Sequence, residues 1–156
     1  MTSDGQMVLL GCGEELFAVP VTRVQEILDL CPISRLPHAP PHLLGLIDVR
    51  GESVAVGDLR RLLGQTPPAD TAATRIIVLR VARGEDRTVI ALKTDRVIEV
   101  AELDEGSMGP VQGKGVFNWD DRMVVGVGRR NGRFVTVLNL EHLFRDVLTG
   151  SKARAA

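Results

Sequence analysis

The stretch Gly45–Arg60, GLIDVRGESVAVGDLR, constrains the fold of this chain more than any other segment. An apolar run ends at Arg50-Gly51, and a second β-rich run follows it. Two such runs around a short polar turn are typical of a β-hairpin. Gly51 suits that turn because glycine adopts a positive φ without strain. The hairpin displays Arg50 and Glu52 at its tip, which favours recognition of a partner over bond-breaking chemistry.

Turn signals of this kind recur along the chain. Gly84-Glu85 separates two β-rich runs, and Asn131-Gly132 separates two more. The Asn-Gly dipeptide favours a type I′ turn, since both central residues of that turn need a positive φ. Many short strands with turns every ~8–12 residues are typical of β-barrels or a sandwich. The further predicted strands are Met7–Leu10, Leu16–Val19, Ile76–Val81, Thr88–Leu92, Val97–Leu103, Met123–Arg129 and Arg133–Leu138.

Helices are predicted at three places. Val24, Ile27 and Leu28 recur at helical spacing, so Thr22–Leu28 is predicted to be a short amphipathic helix. A short helical cap is predicted at Leu59–Leu63. A last helix is predicted at Leu140–Leu148, with an apolar face made of Leu140, Leu143, Phe144, Val147 and Leu148.

The clearest linker is GQTPPADTAAT at residues 64–74, which is rich in Pro, Ala and Thr and has no large apolar residue. It divides the β-rich runs into two halves, between which no exact repeat is visible. We therefore predict an all-β fold with short helices, made of two small β-barrels. The first is expected over about residues 14–66 and the second over about residues 73–140, followed by the helix at 140–148, with terminal strands free to cross between barrels.

The amino-acid composition argues against several classes of function. Aromatic residues make up 3% of the 156 residues and the net charge is -1. Both argue against nucleic acid, which requires basic patches or stacking aromatics. The first residues, MTSDGQ, lack the features of a signal peptide, and no apolar run approaches the ~20 residues that cross a bilayer. With only two cysteines, the chain is expected in the cytoplasm, without membrane insertion.

Catalytic and metal sites have little support. Cys31, His38 and His42 are close in sequence, but zinc sites usually pair cysteines at about two-residue spacing. Cys31 with His38 or His142 as a base would make a small hydrolase, although no flanking sequence supports a reactive thiol. We expect no metal, no cofactor and no enzymatic activity.

Other polar groups have simple structural explanations. Gly126 and Gly128 are not part of a phosphate loop and indicate a bulge or a tight barrel corner. The acidic cluster Glu102, Asp104 and Glu105 is expected to be a solvated loop. Three arginines, Arg129, Arg130 and Arg133, surround the Asn131-Gly132 turn. They are expected to be exposed and to favour solubility over phosphate binding.

Several segments resemble the CheW family of chemotaxis coupling proteins. They are VQEIL at 24–28, GLIDVRGESVAVGDLR at 45–60, and DRMVVGVG with FVTVLNLEHLF near the end of the chain. The similarity spans about residues 7–148. It implies two intertwined SH3-like barrels of five strands each and a non-catalytic adaptor recruited to membrane-receptor arrays. The implied partners are the regulatory domain of a CheA-type histidine kinase, the cytoplasmic tip of chemoreceptors and other CheW-like modules.

The resemblance also implies where partners bind. If the segment at 22–28 packs near the tip of the first hairpin, Glu26 and Arg50 can pair, and one charge can orient the other toward a partner. The residues that match partner contacts of the family are Val24, Glu26, Ile27, Gly45, Val49, Arg50, Gly51, Val97, Ile98 and Val100.

Three residues depart from the family pattern. Asp48 replaces the usual Asn before Arg-Gly, Ala55 replaces a common Pro, and Gly57 replaces a β-branched residue. A carboxylate at Asp48 would compete with Glu26 for the guanidinium of Arg50.

Two alternative functions stay open. One is a CheW-like scaffold of a non-motility signalling array, and the other is an SH3- or OB-like barrel that binds nucleic acid.

Overall fold

Ten strands form two five-stranded sheets in a computed structural model that describes residues 5–109 and 121–149. Short 3₁₀ turns lie at Val21–Arg23 and Asp121–Met123, and the α-helices are α1 (Leu59–Leu62) and α2 (Leu140–Thr149). The strands are β1 (Gln6–Cys12), β2 (Glu15–Pro20), β3 (Val24–Asp29), β4 (Leu43–Val49), β5 (Glu52–Asp58), β6 (Arg75–Arg83), β7 (Asp86–Thr94), β8 (Arg96–Glu102), β9 (Val124–Arg130) and β10 (Arg133–Leu138).

The two sheets exchange hairpins. One sheet has the order β8-β1-β2-β10-β9, and the other has the order β3-β6-β7-β5-β4. The hairpin β1–β2 thus joins three strands from the end of the chain, through parallel pairing of β2 with β10. The hairpin β6–β7 joins the three strands that precede it, through parallel pairing of β7 with β5. The all-β prediction with two five-stranded units is confirmed.

Each sheet curls until its two edges meet. The chain that leaves β3 returns at Ser34, whose backbone forms a bridge with Leu46 on β4, and both N–H···O distances are 2.8 Å. The chain that leaves β8 forms the equivalent bridge between Gly109 and Val127 on β9. These bridges link the edge strands and give each sheet the form of a small barrel.

Three apolar clusters fill the molecule. One is inside the β3–β7 barrel and includes Val56, Val78 and Ala91, while a second, inside the other barrel, includes Ala18 and Val135. The largest lies between the barrels and combines residues of β1, β2, β6 and β7 with both helices. β6 is consequently buried on both faces, which explains its continuous apolar sequence.

The predicted helix at Thr22–Leu28 is wrong. Only Val21–Arg23 form a 3₁₀ turn, and Val24–Asp29 form strand β3, which pairs antiparallel with β6. Along β3 the side chains alternate between half-buried and exposed, which is the two-residue period of a strand. Pairing with β6 satisfies the backbone of this segment, and that long-range contact outweighs the helical spacing of three apolar residues.

The predicted linker does not mark the boundary between the sheets. β6 and β7 follow residues 64–74 but pair with β3 and β5, which precede them. The barrel ranges of about 14–66 and 73–140 therefore do not coincide with the strand groups that pair.

The predicted hairpins and the helices at Leu59–Leu63 and Leu140–Leu148 agree with the structure, and Leu140, Leu143, Phe144 and Val147 are buried. The side chain of Leu148 lies outside the described set.

A buried ion network links β5, α1 and the β7–β8 turn. Arg60, 2% exposed, donates to Asp58 at 2.6 Å and to Asp95 at 2.7 Å. Burial opposes the charge on Arg60, but the two carboxylates outweigh it and hold its pKa above the usual value. Asp95 also accepts the N–H of Gly13, so the network ties the β1–β2 turn to the other sheet.

Glu141, in the first turn of α2, fastens this helix to β6. It accepts the N–H of Ala82 at 3.0 Å and pairs with the guanidinium of Arg23. Partial burial alone would raise the pKa of Glu141, but Ala82 and Arg23 outweigh burial and lower it below the ordinary 4.5.

A substitution at Gly45 tests how tightly the backbone at Ser34 packs on β4 where the barrel of strands β3–β7 closes. A Cβ at Gly45 would lie 2.0 Å from the carbonyl oxygen of Ser34, and its φ is +145°. We expect Gly45→Ala to lower the free energy of unfolding by about 3 kcal/mol, because either the bridge or the backbone must move. Urea unfolding measures this. Gly64→Ala is the control, since Gly64 has a φ of +83° but open space around it, and should cost about 1 kcal/mol. Equal losses would contradict the steric explanation.

The lowered pKa of Glu141 predicts a pH dependence. Because the folded pKa lies below the unfolded one, the charge stabilises the fold above about pH 4.5 and stops doing so as the pH falls through the folded pKa. Glu141→Gln should lower the free energy of unfolding by about 1 kcal/mol or less near neutral pH. The difference from wild type should shrink in urea unfolding as the pH falls below about 4.5, where the carboxylate becomes protonated. A pH-independent difference would assign the effect to packing.

Candidate docking site

Glu26 and Arg50 come together at one rim of the β3–β7 barrel. Arg50 Nη2 lies 3.4 Å from Glu26 Oε1, and the two side chains are 81% and 20% exposed. Glu26 is on β3 and Arg50 is in the turn after β4, so the pair joins the two edge strands of the sheet. The predicted pairing is present. An ion pair that is 3.4 Å long and this exposed contributes little to the free energy of unfolding.

The second oxygen of Glu26 lacks a partner. Oε2 is buried and accepts no hydrogen bond from the residues that the structure describes. A carboxylate oxygen removed from water without a donor costs free energy. The Glu26–Arg50 pair thus combines an unused acceptor inside the fold, on Glu26, with an exposed cation on Arg50.

The backbone of Arg50 is in an unfavourable region. Its φ is +55° and that of Gly51 is +88°, the combination of a type I′ turn. This conformation costs a non-glycine residue about 1–2 kcal/mol of conformational free energy, and it costs asparagine less. In the hairpin β9–β10 the same two positions hold Asn131 and Gly132, with φ of +53° and +83°. The chain therefore places an arginine where asparagine would be more stable, which is typical of a residue kept for its side chain.

Asp48 stabilises the turn by a hydrogen bond between its side chain and the backbone. Its Oδ1 accepts the N–H of Gly51 at 2.7 Å. The contact of Arg50 that the structure contains is with Glu26, so the expected competition between Asp48 and Glu26 for the guanidinium is not observed. The departure from asparagine at this position keeps the turn's hydrogen bond, since a carboxylate oxygen accepts as an amide oxygen does.

The remaining predicted residues of this sheet differ in exposure. Ile27 is 40% exposed on the outer face of β3, while Val24 packs against the central cluster. Val49 is buried inside the barrel, and Gly45 is buried beneath Ser34. Ile27, Arg50 and Gly51 are therefore the surface of the site, and Gly45 and Val49 act through the shape of β4.

The three predicted residues of β8 belong to the other sheet. Ile98 and Val100 are 41% and 50% exposed, and Val97 packs against the same central cluster as Val24. Glu99, between them, pairs with Arg130 at 3.3 Å and occupies the position of Glu26 in this barrel. Arg130 also donates to the carbonyl of Glu102, which closes this second pair within the fold.

Gly57 is explained by packing of α2. A Cβ at Gly57 would lie 2.5 Å from Cγ2 of Val147. A β-branched residue at this position would displace the helix, so the close approach of α2 to β5 requires glycine. This departure from the family pattern is thus a feature of the core. Nothing in the structure explains Ala55.

The cysteines and histidines form no metal-binding group in the described parts of the chain. Cys31 packs against the interior of the β3–β7 barrel, at a groove of about 500 Å³, and His38 is exposed with a φ of +58°. Across residues 5–109 and 121–149, no group of three His, Cys, Asp or Glu side chains is placed to hold a metal ion. Burial raises the pKa of the Cys12 thiol, which disfavours a reactive thiolate.

The arginine-rich hairpin has local partners. Arg129 stacks over the ring of Phe134 at 4.4 Å, and Arg133 donates to the carbonyl of Glu14. Asp104 accepts the N–H groups of Asn131 and Gly132, both at 3.0 Å, and these hydrogen bonds lower its pKa. The acidic loop at 102–105 therefore holds the turn. Cβ atoms at Gly126 and Gly128 would meet Met108, in agreement with tight packing there.

Neither helix in the described residues has the length and apolar character needed to cross a membrane.

A family model described as CheW-like domain matches residues 6–148. The chain belongs to the CheW family. Among curated relatives, the probable chemotaxis protein CheW of Rhizobium etli is 27% identical over 143 residues, 92% of this chain and 89% of its own length. The chemotaxis protein CheW of Helicobacter pylori is 25% identical over 133 residues, 85% of this chain and 77% of its own.

A solved structure supports the same assignment. The crystal structure of the scaffolding protein TtCheW from Thermoanaerobacter tengcongensis aligns with a TM-score of 0.78 at 26% identity, over 90% of this chain and 92% of that one. The agreement confirms the two-barrel CheW-like fold that the sequence predicted.

One sequence signal for the site was missed. Arg23-Val24-Gln25-Glu26-Ile27 recurs as Arg96-Val97-Ile98-Glu99-Val100, and each copy lies at the start of an edge strand, with Arg23 directly before β3 and Arg96 as the first residue of β8. The second copy was predicted to be a strand, so comparing the two would have identified β3 and paired Glu26 with Glu99.

The turn conformation predicts an unusual stability change. Arg50→Asn should raise the free energy of unfolding by about 0.5 kcal/mol, because relief of the positive φ outweighs loss of a weak exposed pair. Urea unfolding is the measurement. Asn131→Arg, the matched exchange in the other hairpin, should lower stability by a similar amount. If Arg50→Asn is destabilising, the pair with Glu26 is structural and the strain argument fails.

Proposed function

We propose that this chain is a non-catalytic adaptor in a chemotaxis-type signalling array. It couples the cytoplasmic tips of chemoreceptors to the regulatory domain of a CheA-type histidine kinase. Membership of the CheW family, the names of its chemotaxis relatives and the scaffolding function named for the T. tengcongensis protein support this proposal.

The Glu26–Arg50 pair is the observation that carries the proposal. Arg50 is the more exposed partner at 81%, and it occupies a backbone conformation that favours another residue. Glu26 retains a buried oxygen without a donor among the described residues. A partner that supplies an acceptor satisfies the exposed cation of Arg50, and such directional charged contacts provide specificity.

The apolar part of the site fits a helical partner. Ile27 on β3 and Ile98 and Val100 on β8 are exposed aliphatic residues at the edges of the two barrels. An amphipathic helix with an apolar stripe is the partner that such residues accept. We assign this face, together with Arg50, to the chemoreceptor tip.

Coupling requires a second, separate surface. A scaffold transmits a signal only if its binding free energies differ between the signalling states of its partners. We assign the second surface to a barrel end that meets the related barrel of the kinase regulatory domain. Other CheW-like modules would use the same end, and these contacts would recruit the chain to receptor arrays. The same architecture serves a motility array and a non-motility array.

Binding experiments with Arg50→Asn test the proposal. The purified chain is titrated with the kinase regulatory domain and with a receptor cytoplasmic fragment, both from the same cell. Arg50→Asn should weaken binding to at least one partner by about tenfold or more while the fold is retained.

The control is Arg83→Asn, which removes an exposed arginine of the β6 end and leaves Glu26 and Arg50 intact. It should bind both partners like wild type. Unchanged binding by Arg50→Asn would remove this pair from the docking site, and failure of the wild-type chain to bind either partner would refute the adaptor.

A further inference from the structure

A groove with three arginines lies on the outer face of the β6–β7 hairpin. It has a volume of about 550 Å³, and its charged lining consists of Arg23, Arg80, Arg87 and Glu141. Val81 and Ala82 lie between them. Three guanidinium groups and one carboxylate leave two positive charges uncompensated, although the net charge of the chain is -1.

The groove already binds one carboxylate of the chain itself. Glu141 pairs with Arg23 and accepts the N–H of Ala82, and Arg23 is fixed further by donating to the carbonyl of Arg80 at 2.9 Å. This intramolecular contact identifies carboxylate as a group that the groove accommodates. It also occupies the Nε and Nη2 donors of Arg23 and the N–H of Ala82.

Arg80 and Arg87 remain for a ligand. Arg80 donates one Nη1 hydrogen to the carbonyl of Val24 at 3.2 Å, which orders its guanidinium and leaves further donors. Arg87 makes no hydrogen bond or ion pair with the residues in 5–109 and 121–149. Two arginines without carboxylates match the planar fork of acidic side chains.

The donor set favours a protein segment over a free phosphate. Phosphate sites usually use a series of backbone N–H groups at a helix N-terminus or in a nest. Here the one backbone donor that contacts an anion, the N–H of Ala82, is bound to Glu141. Guanidinium groups alone, along an open groove, suit the spaced carboxylates of an acidic chain.

The groove adjoins strand β3 of the docking site through Arg80. Val24, whose carbonyl receives Arg80, is the first residue of β3, and Glu26 follows it on the same strand. A partner that covers β3 therefore extends naturally onto the β6–β7 hairpin.

We infer that the Arg80–Arg87 groove is a docking surface for an acidic segment of the protein partner that binds β3. This inference rests on the proposed function and adds the chemistry of the partner, which must carry at least two carboxylates beside its contact with Glu26 and Arg50. The groove contributes both affinity and salt sensitivity to the complex.

Charge reversal at Arg87 tests the inference, because this side chain has no described contact to lose. The chain and its Arg87→Glu variant are titrated with the kinase regulatory domain and the receptor fragment at low and at high salt. Arg87→Glu should weaken binding to the receptor fragment, the partner assigned to β3, by about tenfold at low salt, and the difference should shrink at high salt. Arg87→Lys, which keeps the charge but loses the planar fork, should bind more tightly than Arg87→Glu and more weakly than wild type.

Arg83→Glu is the matched control, with the same charge change at an exposed site outside the groove lining, and it should bind like wild type. Equal salt-dependent losses for both variants would reduce the effect to net charge and overturn the inference. Wild-type affinity of Arg87→Glu, with Arg50→Asn impaired, would overturn the groove and leave the adaptor standing. Thermal stabilisation by inorganic phosphate that Arg87→Glu abolishes, with unchanged partner binding, would assign the groove to a free anion instead.

Discussion

The parallel pairing of β2 with β10 and of β7 with β5 determines the rest of the structure. Each pairing inserts a hairpin from one half of the chain into the sheet of the other half. The central cluster forms as a result, because β1, β2, β6 and β7 bring their second faces together between the barrels. Those four strands are buried on both sides over much of their length, and a nearly continuous apolar sequence is typical of such strands.

The two barrels share a local feature where a strand leads into a helix. Asp58 and Asn139 both precede a helix, and each side chain accepts a backbone N–H from the first turn of that helix. The two barrels differ at their cross-edge ion pairs. The pair of Glu99 with Arg130 is closed within the fold, whereas Arg50 is exposed in a strained turn.

Much of this was readable from the sequence, and the exceptions have a physical cause. Turn chemistry is local, so Arg50-Gly51 and Asn131-Gly132 located their hairpins correctly. β3 was mistaken for a helix because its pairing with β6 is a long-range contact that spacing does not encode. The Glu26–Arg50 contact was predicted as a pair, but the buried second oxygen of Glu26 and the groove beside Arg80 depend on packing that no motif announces.

Hairpin exchange also has a consequence during synthesis. When residues 24–58 have left the ribosome, β3, β4 and β5 lack the strands that complete their sheet, which emerge only with residues 75–94. The hairpin β1–β2 waits longer still, until β10 is made near the end of the chain. Nascent β-edges that stay unpaired for so long are prone to aggregate, so this protein is expected to depend on chaperones while it is translated.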